Sequence, residues 1–109
     1  MSGPLITPTK GESLFLARRR AGINQVEAAQ RHGVHVDKYR EWEADERIKD
    51  QPWARLGALK INEVCVLLRR RAGITQRQLA ETMGCTRLWI NQMERGEAPA
   101  DRLREHWGV

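Results

Sequence analysis

The sequence predicts an all-α protein built from two similar halves in tandem, and three observations carry that prediction. Shifted by 51 positions, residues 18–23 fall on residues 69–74 with the same six letters, Arg-Arg-Arg-Ala-Gly-Ile. The same offset pairs Gln25 with Gln76, Ala29 with Ala80, Gly33 with Gly84, Glu43 with Glu94 and Glu46 with Glu97, which makes eleven identities over 29 ungapped positions. Within each half, apolar residues recur at helical steps, and glycines close the runs where helix caps need them.

The second half gives the elements most clearly. Ile61, Val64, Cys65 and Leu68 lie three and four residues apart, on one face of a helix that ends at Gly73. The three arginines before that glycine complement the negative helix end. Thr75 is a good N-cap for a short helix over 76–83, stopped by Gly84, and Thr86 caps a third over 87–93, closed by Gly96. Pro99 stands near the start of a fourth helix running to Trp107, with Leu103 and Trp107 four apart on one face. In the first half, Pro52-x-x-Arg55-Leu56 matches Pro99-x-x-Arg102-Leu103 at a spacing of 47, which predicts a last helix over 52–59 and leaves only residues 60–62 before the second half.

At 109 residues, with 40% hydrophobic residues and four tryptophans among six aromatics, the chain has the material for a folded core. Length alone predicts one domain; the repeat replaces that with an extension over 1–10 and modules over 11–59 and 60–109, each too small to be comfortable alone. No apolar run approaches the roughly 20 residues that cross a bilayer, and the first ten residues lack a signal-peptide pattern, so a cytoplasmic protein with no membrane partner is expected. Cys65 and Cys85 are too few and too poorly spaced for a zinc site and are expected as small buried hydrophobes. His32, His35 and His106 have no clustered ligands, no serine or cysteine has a base partner, and no glycine-rich phosphate loop follows a strand. Neither an enzyme nor a metal or other cofactor is expected. The net charge of +5 points weakly to an anionic partner.

Two short helices joined around a glycine form a helix-turn-helix. Ala80, Gly84, Ile90 and Met93 have its spacing: Ala80 is small where the third helix crosses the second, Gly84 permits the tight turn, and Leu79, Ile90 and Met93 face the core. With Ala-Gly-Ile-Thr-Gln at 72–76 and Met-Glu-Arg-Gly-Glu at 93–97, residues 61–103 resemble the Cro/C1-type (XRE-like) helix-turn-helix regulators of phages and mobile elements, and residues 14–59 resemble a divergent second copy. The resemblance implies two tandem lambda-repressor-like helix-turn-helix modules packed together. It also implies a repressor or activator of transcription whose partner is double-stranded DNA, bound as a homodimer or as an internal pseudo-dimer.

Carried onto this sequence, the resemblance puts Arg87, Leu88 and Gln92 against base edges and Gln76, Thr86, Asn91 and Arg95 near phosphates. Arginine can pair bidentately with guanine, glutamine with adenine, and leucine can touch a thymine methyl. Trp89 is expected in the core or against the sugar-phosphate backbone. The resemblance also implies structural ion pairs, Arg18 with Glu43 and Arg69 with Glu94, while Arg19, Arg20, Arg70 and Arg71 serve as solvated helix ends or phosphate contacts.

The first half departs from the pattern. Ala28 replaces Leu79, His32 replaces Met83, Tyr39 replaces Ile90 and His35 replaces the capping Thr86. Residues 34–46 sum to −3 whereas 85–97 sum to zero, and Asp37 and Glu41 stand where the second half shows Leu88 and Gln92. Carboxylates beside phosphates repel. The second module is therefore expected to read DNA, and Gln25, His35, Asp37, Lys38 and Glu41 of the first to contact DNA or a protein partner. The rival function is a protein-binding regulator, an anti-activator or polymerase-contacting factor, that uses the fold as a docking surface.

Overall fold

A computed structural model describes residues 6–109. Among these residues there are seven helices and no strand: α1 (Lys10–Ala21), α2 (Gln25–His32), α3 (Val36–Glu43), α4 (Ile61–Ala72), α5 (Gln76–Met83), α6 (Arg87–Glu94) and α7 (Asp101–Trp107). The chain divides between Gly57 and Ala58 into two compact units, α1–α3 and α4–α7. Of the expected extension over 1–10, residues 1–5 lie outside the described residues, and Lys10 already belongs to α1.

The offset of 51 recurs in backbone detail. Thr9 and Glu12 cap α1 reciprocally, Thr9 Oγ1 accepting from Glu12 N at 3.1 Å and Glu12 Oε1 from Thr9 N at 2.9 Å; Glu63 Oε1 accepts from Lys60 N at 2.8 Å at the start of α4. Asn24 with Glu27 and Thr75 with Gln78 form the same reciprocal caps on α2 and α5. His35 keeps the capping function of Thr86 with different chemistry: its Nδ1 accepts from Asp37 N at 3.1 Å, where Thr86 Oγ1 accepts from Trp89 N. Gly33 and Gly84 both take φ near +68°, the left-handed geometry that lets the next helix start three residues later.

Leu14, Ala28, Ala29, Tyr39 and Trp42 form the core of the first unit. Cys65, Leu79, Ala80, Ile90, Met93 and Leu103 form that of the second, with Trp89 and Trp107 packed against it. Cys65 is a buried free thiol and Cys85 a partly buried one. Leu79, Ala80, Ile90 and Met93 occupy the core positions that the helix-turn-helix spacing predicts. The face drawn on α4 is wider than the sequence predicts: Glu63 to Leu67 are all buried, and Ile61 and Leu68 are only partly so.

Residues 52–59 are not helical, which corrects the expected last helix of the first unit. The backbone there serves α1 instead: Ala54 N donates to Ser13 Oγ at 3.0 Å, and Leu56 O accepts from Arg20 Nη1 at 2.7 Å. Gly57 follows at φ +64°, outside helical geometry. After Leu103 the sequence runs on through Arg104 to Trp107 before any glycine, so α7 forms, with Pro99 just before its N-cap Ala100.

One position pair is exchanged between the units. In the first, α1 carries Gly11 and the turn after α3 carries Asp45 at φ +58°; Asp45 Oδ1 accepts from Gly11 N at 2.9 Å and from Gln51 Nε2 at 2.8 Å. In the second, 51 residues on, α4 carries Asn62 and the turn after α6 carries Gly96 at φ +77°; Asn62 Nδ2 donates to Glu94 O at 2.9 Å. The polar side chain crosses the same gap from opposite sides, and a glycine stands across from it each time.

Candidate nucleic-acid interface

α4, α5 and α6 are tied by one network of side chains. Glu94, fully buried on α6, accepts from Arg69 Nε at 2.7 Å and Nη2 at 3.0 Å, and from Gln76 Nε2 at 2.9 Å. Arg69 Nη1 reaches Ile74 O at 3.0 Å, and Gln76 Nε2 also lies 3.3 Å from Asn91 Oδ1. Gln76 and Asn91, expected near phosphates, are thus fixed by α6 and by each other before any ligand arrives.

The network holds α6 with Ile90, Met93 and Glu94 inward and Arg87 and Leu88 outward, Leu88 at 64% exposure. Asn91 and Gln92 are partly exposed one turn on. An outward leucine in the first turn of a helix whose core positions are already filled has no folding role. Thr86 caps α6, and exposed Arg95 lies 3.3 Å from Glu97.

Arg69, Arg77, Arg87 and Gln76 line an open groove at the start of α5, in which every charged residue is an arginine. The first turns of α5 and α6 contain no acid. The positive helix end and the arginines can therefore act together on an anion. Arg77 was missed by sequence reasoning; the signal was its replacement by Val26 in the other half.

The first unit repeats the tie with a changed exit. Glu43 accepts from Arg18 Nε at 2.6 Å and Nη2 at 3.2 Å, and from Gln25 Nε2 at 3.1 Å. Burial opposes ionisation of Glu43, but the hydrogen bonds from Arg18 and Gln25 hold its carboxyl below the usual value. Arg40, in the place of Asn91, donates to Gln25 Oε1 at 3.1 Å. The outer face of α3 then neutralises itself: Asp37 lies 3.5 Å from Arg40, Glu41 2.7 Å from Arg47, and Lys38 sits over the Trp42 ring at 5.2 Å.

A comparison with family models matches residues 67–106 to one described as a helix-turn-helix domain. The second unit is similar to a helix-turn-helix domain. The match takes in the end of α4, all of α5 and α6, and α7 as far as His106, so the arginine groove and the outward face of α6 both lie in the matched segment. No curated protein and no solved structure matches the chain. Among the described residues, no helix is long and apolar enough to cross a membrane.

Proposed function

We propose that the protein is a sequence-specific DNA-binding transcriptional regulator of the Cro/C1 type, from a phage or mobile element, that reads the major groove through α6. The observation that carries this reading is the outward Arg87–Leu88 pair in an acid-free first turn, held by the buried Glu94 network and flanked by the arginine groove. Arg87, Leu88 and Gln92 read base edges, and Gln76, Asn91, Thr86 and Arg95 lie along the phosphates. Arg77 joins them on the backbone side of the groove.

Salt-dependent gel shifts on the DNA upstream of the protein's own gene test it. Arg87→Ala should cost about 1–3 kcal/mol at the specific site and relax discrimination at one base pair. Arg77→Ala should weaken all sequences alike and lower the salt slope by about 1. Equal loss on specific and unrelated DNA in Arg87→Ala would remove base reading from that residue.

A second reading is favoured by the self-neutralised α3 face: the first unit, the divergent tandem copy, docks a protein instead of DNA. If no promoter fragment shifts at low salt and a protein co-purifies with the chain, docking is the principal function.

A further inference from the structure

We propose that the first unit contains a binding site for a small aromatic carboxylate. An apolar cleft of about 170 Å³ opens between α1 and α2, walled by Leu14, Ala17, Ile23, Ala28, Tyr39 and Trp53. Its origin is visible against the second unit. Ala28 and Ala17 stand where that unit has Leu79 and Leu68, and the non-helical stretch from Pro52 replaces the α7 packing of Leu103 and Trp107. Two truncated side chains and a missing helix leave space that nothing in the first unit fills.

The size and charge of the cleft select the occupant. An apolar cavity of about 150 Å³ takes up benzene, and drug-sized ligands need about 300 Å³ or more, so a single ring fits. No acidic residue lines the cleft. Of its two arginines, Arg18 is committed to Glu43, whereas exposed Arg31 at the rim has no carboxylate partner among the described residues. The His32 ring, 5.7 Å from that of Tyr39, continues the aromatic wall beside it. A ring enters the cleft while its carboxylate meets the guanidinium in a charge-assisted, bidentate geometry.

The test uses the full chain and does not depend on DNA binding. Benzoate and benzyl alcohol, alike in ring and different in charge, are titrated at millimolar concentration while methyl and indole N–H resonances are followed. Benzoate should shift the Ala17, Ala28 and Trp53 signals, and Arg31→Ala should weaken benzoate by about tenfold while leaving benzyl alcohol unchanged. Ala28→Leu, which restores the residue of the second unit, should abolish both; Ala17→Leu serves the same purpose if Ala28→Leu does not fold. Absence of shifts, equal affinity for the two probes, or benzoate shifts that survive the filled cleft would each overturn the proposal.

Discussion

Glu94 and Glu43 each accept hydrogen bonds from an arginine on the first helix of their unit and a glutamine on the second. Glu94→Gln or Glu43→Gln leaves a largely buried guanidinium, 19% exposed in both cases, without its counter-charge. Each should cost about 3 kcal/mol, a fall in Tm on the order of 10 °C by calorimetry. Because Glu43 titrates below its usual 4.5, its stabilisation is complete above that value and is lost as pH falls through the lower folded pKa; Glu43→Gln should remove that part of the acid sensitivity. Cys65 behaves oppositely. Burial, with the charge of Glu94 adding to it, pushes the thiol from 9.0 up to about 11, so the stability it contributes is complete below 9.0 and lost as pH rises through about 11. Denaturation curves at alkaline pH should show a shallower loss in Cys65→Ala.

At the scale of the element, helix ends and the helix-turn-helix core were legible because each depends on a short-range signal. Thr75 and Thr86 are caps, Gly84 is a stop, and α5 runs over 76–83 as read. The stretch after Pro52 was not legible, since its backbone bonds to Ser13 and Arg20, some 40 residues away in sequence, outweigh a local match to the start of α7. The full burial of Val66 and Leu67, off the stripe drawn on α4, was hidden for the same reason. In the candidate site, the ion pairs followed from the family resemblance. The engagement of Gln76 by Glu94 and the place of Arg77 depended on how α5 lies against α6. Packing also sets the next expectation. A Cβ at position 11 would stand 2.5 Å from Glu43 O and 2.7 Å from Trp42 O, both backbone atoms, so Gly11→Ala should cost about 2 kcal/mol or more in chemical denaturation. Asn62→Ala, which only removes a hydrogen bond, should cost about 1 kcal/mol.

Over the whole molecule, the net charge of +5 says less than where the acids stand. Asp37 and Glu27 occupy the first turns of α3 and α2, whereas α6 and α5 have none there. If the second unit alone meets DNA, Asp37→Asn with Glu41→Gln should change affinity by less than about threefold in gel shifts, under 1 kcal/mol. A gain of about tenfold would place the first unit against phosphates. The Gly11–Asp45 and Asn62–Gly96 exchange bears on which chimaeras of the two units can pack. A crossover between the units that joins α4 to the rest of the first unit sets Asn against Asp45, two side chains in a gap made for one. The reciprocal crossover sets Gly11 against Gly96 and leaves the gap unbridged. A chimaera of the two units should therefore stay stable in chemical denaturation when its first helix and last turn come from the same unit, and lose stability when they do not.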